Sequence, residues 1–130
     1  MRRIYDDSKY DEVRDAIMLY VRNHINPKDV AEYSYGSNRV EPRLVRDAVE
    51  RHLGNDYKFG KCEHAHGIGN NNAWEIIYMG EEEQICGLFH ATDDMYGGVY
   101  CWVTDIDEER KTESMFLMDR PYWYAEHGAR

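Results

Sequence analysis

The hydrophobic pattern changes its period at Tyr57, and that change limits the chain to an arrangement with helices first and strands second. Before it, apolar residues recur every three or four positions. Tyr10, Val13, Ile17, Tyr20, Val21 and His24 trace one face of a first helix, with Ser8 as its cap and Asp11 in the capping-box position. Asn26-Pro27 and Glu41-Pro42 then repeat one device, a polar or acidic cap followed by proline at the first helical position, where its missing N–H costs nothing. After Glu41-Pro42, Val45, Val49 and Leu53, with Leu44 and Ala48 beside them, form the apolar stripe of a third helix. Arg43, Arg46, Asp47, Glu50 and Arg51 face solvent, and Gly54 stops the helix.

From Tyr57 the pattern alternates. YKFGKCEHAH, NAWEIIYMG, EQICGLFHAT, GGVYCWVTDI and TESMFLMD, rich in aromatic and β-branched residues, read as five strands joined by GIGNNN, EEE, DDMYGG and DEERK. Connections this short imply an antiparallel meander. The fold class expected is α+β. A three-helix module occupies residues 1–56, and an acidic antiparallel sheet of about five strands occupies residues 57–130, the two packed as one compact domain.

Charge divides at nearly the same place. Residues 1–61 hold 12 Lys+Arg and 11 Asp+Glu, whereas residues 62–130 hold 4 and 14, together the 16 and 25 of the whole chain and its formal charge of −9. An apolar content of 42% suffices for a core and argues against disorder throughout. No apolar run is as long as a membrane span, and MRRIYDDSKYDE opens with positive charge but lacks the apolar middle of a signal peptide. The expectation is a cytoplasmic protein with no membrane partner. Cys62, Cys86 and Cys101, odd in number and irregular in spacing, fit reduced thiols better than a disulfide framework.

PKDVAE followed by VEPRLVRDAVERHLG resembles the second and third helices of winged helix-turn-helix domains, and the resemblance extends over residues 8–80 if a wing hairpin (57–66 and 73–79) comes next. The connection YSYGSNR departs from that pattern, being longer than a tight turn. The resemblance implies a non-enzymatic regulator that contacts duplex DNA through Arg43, Arg46 and Arg51, supported by Arg39, Arg2 and Arg3. The tip GIGNNN carries no Lys or Arg for phosphate.

A second reading starts from the acid. Glu81, Glu82 and Glu83, with Asp107, Glu108 and Glu109, offer the charge pattern of a nucleic-acid backbone to the basic groove of a nucleic-acid-binding protein, as small phage-encoded antirestriction and anti-CRISPR inhibitors do. Tyr122, Trp123 and Tyr124 add aromatic surface for a partner or a second copy of the chain. A third reading is a zinc site. Cys62, His64 and His66 share one strand face, and Cys86 and His90 share a face of a later strand by the same parity. Successive same-face residues lie about 7 Å apart, wide for ligands of one ion, and the bland alternative is packed thiols and polar histidines. No oxyanion loop or nucleophile turn accompanies a Cys–His pair, so no catalytic residue and no cofactor is assigned.

Overall fold

The computed structural model describes residues 4–34, 36–61, 72–93, 98–106 and 122–125. In chain order they form β1 (Ile4–Tyr5), α1 (Tyr10–His24), a 3-10 turn (Pro27–Val30), β2 (Ala31–Ser34), β3 (Ser37–Val40), α2 (Pro42–Leu53), a second 3-10 turn (Gly54–Asp56), β4 (Tyr57–Lys61), β5 (Asn72–Met79), β6 (Glu83–Asp93), β7 (Val99–Thr104) and β8 (Tyr122–Ala125). The chain is α+β, but the three-helix module is not formed. Two α-helices stand among the described residues, and strands dominate.

The missing helix is the one expected after Asn26-Pro27. Asn26 does cap, its side-chain oxygen accepting the Lys28 N–H at 3.0 Å, but it starts only a single 3-10 turn. Ala31 to Val40 then fold back as an antiparallel hairpin in the register Ala31↔Val40 to Ser34↔Ser37. Gly36, at φ +87°, supplies the positive φ that a two-residue hairpin loop requires. The stretch read as a long helix-to-helix connection is thus itself the secondary structure. The Glu41 N–H closes its base on the Val30 carbonyl at 2.7 Å.

The other two helices form, with one change at a cap. In α1, Ser8 does not cap; its N–H is accepted by Asp6 at 2.9 Å, and Lys9 occupies the cap position. Asp11 and Glu12 in the first turn and Arg22 and His24 in the last complement the helix dipole. Val13, Ile17, Met18 and Val21 are buried, while His24 is exposed. In α2, Glu41 accepts the Arg43 N–H, Pro42 opens the helix, and Pro42, Val45, Ala48 and Val49 are buried.

The large sheet runs β4-β5-β6-β7-β8, every pair antiparallel, and β1 joins β6 in parallel at Ile4↔Gln84 and Tyr5↔Ile85. The sheet is therefore mixed, not the purely antiparallel meander expected. The pair expected as a wing, β4 and β5, is part of this sheet, with β5 held on both sides. The last observed strand lies in the aromatic tail; the expected strand TESMFLMD falls outside the described residues.

Both helices pack on one face of the sheet, where Ile76, Phe89, Ala91, Val99, Cys101 and Val103 meet Val13, Ile17, Val21, Val45 and Val49 in one core. Each Val, Ile or Phe side chain among them contributes about 1.5–3 kcal/mol when fully buried. Phe59 and Trp74 stack on Phe89 at centroid distances of 5.3 and 6.2 Å. Gly87 leaves room for α1: a Cβ there would stand 3.0 Å from the Tyr10 ring and 3.1 Å from the Thr104 carbonyl. Tyr10 uses that room to donate its hydroxyl to the Val103 carbonyl at 3.2 Å.

Candidate interaction surfaces

The arginines expected to grip DNA are scattered and largely matched by acid. Arg43 Nη2 lies 3.1 Å from Glu32 Oε1, which projects from the hairpin. Arg46 meets Asp47 at 2.7 Å and lays its guanidinium over the Trp74 ring, 5.3 Å from the centroid. Arg51 is exposed on the last turn of α2, and Arg39 is half-buried on β3, directly across from Glu32. Arg2 and Arg3 lie outside the described residues. Each exposed pair contributes only about 0–1 kcal/mol, so their main effect is on potential: carboxylates interrupt the positive stripe. A hairpin stands where a positioning helix was expected, and the buried stripe of α2 is committed to the sheet.

Acid is gathered at one end of the sheet, and three stretches of the chain, residues 6–12, 56 and 81–83, supply it. The parallel β1–β6 pair sets Asp6 beside β6, its N–H donating to the Ile85 carbonyl at 3.1 Å. Asp6 is held below the usual carboxylate range by the Ser8 N–H and hydroxyl. The β5–β6 turn carries Glu81 and Glu82, both exposed, and Glu83, which pairs with Lys58 at 2.8 Å. Glu12 from α1 and Asp56 from the turn after α2 complete the set, both acting on Tyr57. Burial first, then the electrostatic influence of Cys86, Glu12, Tyr78 and Asp56, pushes the Tyr57 hydroxyl up to about 12.

Tyr57 and Tyr78 sit in this end with rings 5.4 Å apart, and Lys9 lies over Tyr78 at 4.3 Å. The two ammonium groups, Lys9 and Lys58, are thus already engaged. Tyr5 is 57% exposed and Met79 37%, giving the acidic end an apolar margin. Sequence reasoning found Glu81, Glu82 and Glu83 but missed Asp6, Glu12, Asp56 and the tyrosine pair. Only the parallel β1–β6 contact and the end of α2 bring them together, and neither has a sequence signature. Asp107, Glu108 and Glu109 lie outside the described residues. Tyr122, Trp123 and Tyr124 fall on β8, opposite Trp102, Cys101 and Tyr100.

The Cys/His candidates separate. Cys62, His64 and His66 lie outside the described residues. Cys86 and His90 do not share a face, because a bulge intervenes: Ile76 pairs with Gly87 and Ile77 with Ile85, leaving Cys86 as the extra residue. Cys86 turns into the helix-side core and its thiol donates to the Ile76 carbonyl at 3.4 Å. His90, buried on the opposite face, bonds the Thr104 hydroxyl at 2.9 Å and stacks on Trp102 with ring centroids 4.9 Å apart. Burial pushes the Cys86 thiol up to about 11 and the Cys101 thiol higher still, so both stay protonated and poorly nucleophilic at neutral pH. Among the described residues no group of three or more His, Cys, Asp and Glu is placed to hold a metal ion. None of the helices described is long and apolar enough to cross a membrane.

Comparison of the chain with protein-family models, with curated proteins and with solved structures finds no match.

Proposed function

We propose that the chain is a non-enzymatic binding protein that docks through its acidic end on the basic groove of a nucleic-acid-binding protein, as an inhibitor of the antirestriction or anti-CRISPR kind. The observation that carries this reading is the gathering of Asp6, Glu12, Asp56, Glu81, Glu82 and Glu83 from three segments around Tyr57 and Tyr78. Carboxylates on a rigid sheet end keep their spacing without ordering cost, and their field steers a cationic partner. Tyr5 and Met79 give the apolar stems of Lys or Arg a surface to cover. Two of the three arginines of α2, Arg43 and Arg46, which a DNA reader would need free, already face Glu32 and Asp47.

Two titrations test the reading. Binding of a fluorescein-labelled Lys/Arg-rich peptide should weaken at least about tenfold in Glu81→Lys/Glu82→Lys. It should change far less in Asp15→Lys/Asp29→Lys, which alters the same charge along and beyond α1. Equal losses in the two variants would reduce the effect to net charge and overturn the docking site. Labelled mixed-sequence duplex DNA, titrated at about 50 and 200 mM salt, should not bind. Tight duplex binding that collapses with salt would replace this reading with direct DNA contact through Arg43, Arg46 and Arg51.

A further inference from the structure

Strand β4 is an edge of the large sheet, and among the described residues no strand pairs with its outer side. An open edge of this kind presents outward N–H and C=O groups and is a template for pairing with another chain. The stretch YKFGK has the composition to accept such a partner, with two aromatic residues and no proline. Yet the outward N–H of Phe59, at the middle of β4, is occupied. Glu50 on α2 reaches across and accepts it at 2.7 Å, a short charge-assisted bond from a half-buried position. The α2 pattern placed Glu50 on the solvent side. The structure instead turns it onto the sheet edge.

We propose that Glu50 is a built-in block on β4, holding the edge closed against antiparallel pairing with the β4 of a second copy of this chain. An incoming strand must supply a carbonyl to the Phe59 N–H, and it can do so only by displacing a carboxylate already bonded there. The displaced charge would then lie at the new interface without its donor, which disfavours pairing further. Self-pairing about Phe59 would also set Lys58 of each copy beside Gly60 of the other, bringing the ammonium groups toward one another. Charge turned onto a strand edge is a general way of keeping edges apart. Here a helix, not the strand itself, supplies it.

The experiment compares the full chain with Glu50→Ala, Glu50→Asp and Glu50→Gln by sedimentation velocity over a concentration series, with amide exchange followed at Phe59. Glu50→Ala removes the acceptor and Glu50→Asp withdraws it by one methylene, so both should self-associate at least about tenfold more tightly than the parent. Glu50→Gln keeps an oxygen in reach and should stay close to the parent. In the associating variants, Phe59 exchange should be fast in dilute solution and slow as concentration rises, which locates the contact on β4. A bond that merely fastens α2 to the sheet gives a different result: faster Phe59 exchange at every concentration and no change in association. That outcome, or unchanged association in both Glu50→Ala and Glu50→Asp, would overturn the proposal.

Discussion

Residues 26–40 and residues 41–53 begin alike and end differently. Each opens with a capping side chain that accepts an N–H two residues on, and each has proline in the next position. One continues as a helix of 12 residues, whereas the other completes a 3-10 turn of four and becomes a hairpin. The start signal is therefore permissive. The residues beyond the proline decide: after Pro42 they repeat an apolar stripe every turn, and after Pro27 only Val30 is buried before EYSYGS alternates and Gly36 turns the chain. Helix nucleation is unfavourable and a short helix is marginal by itself, so it depends on an apolar face packed on the core, and a single buried residue after Pro27 offers too little of one.

The strongest way to break the comparison is to remove the stripe on which α2 depends. Val49→Asp buries an unpaired carboxylate at a position with 0% exposure, and should cost about 3–5 kcal/mol, a large share of the roughly 5–15 kcal/mol that holds a domain folded. Urea denaturation with circular dichroism should show a midpoint shifted far down or no folded baseline at all. A near-native midpoint would mean that α2 holds without its core. The hairpin depends instead on one backbone conformation. A Cβ at Gly36 meets no atom within 4 Å, so the cost of Gly36→Ala is torsional, about 1–2 kcal/mol, and amide exchange should quicken across residues 31–40 while α2 keeps its protection. Smallest are the caps, at about 1 kcal/mol or less each. Asn26→Ala should speed exchange at the Lys28 amide and Glu41→Ala at the Arg43 amide, with little change in midpoint; a larger loss at Asn26 would show that the single turn anchors the hairpin.

Much of the fold is legible in local pattern, and the failures have a common cause. The stripe Val45, Val49, Leu53 reports the face that α2 buries, and the runs EIIYM and VYCWV, apolar on both faces, mark strands of the sheet, so α1, α2 and most of the large sheet could be read. Ala31–Val40 escaped because a DVAE turn and a short hairpin both satisfy the same few residues, and the positive φ at Gly36 decides between them only in three dimensions. The bulge at Cys86 defeated strand parity: one unpaired residue moved the thiol to the face opposite His90 and separated the Cys/His candidates. Glu81, Glu82 and Glu83 were visible as a run, but their neighbours Asp6, Glu12 and Asp56 are joined to them only by tertiary contacts.

The parallel contact of β1 with β6 and the bond from Tyr10 to Val103 have a kinetic meaning as well. They tie the start of the chain to positions 80 residues and 93 residues away, so the loops they close are among the longest a chain of this length can form. Closure entropy must be met before such contacts give any return, and topologies rich in them fold slowly. On a ribosome, α1 emerges before α2 and before the strands β4 to β7 that complete its core, and the carbonyl to which its Tyr10 bonds is not made until Val103. The earlier of the two helices thus completes its packing only after most of the sheet has been made.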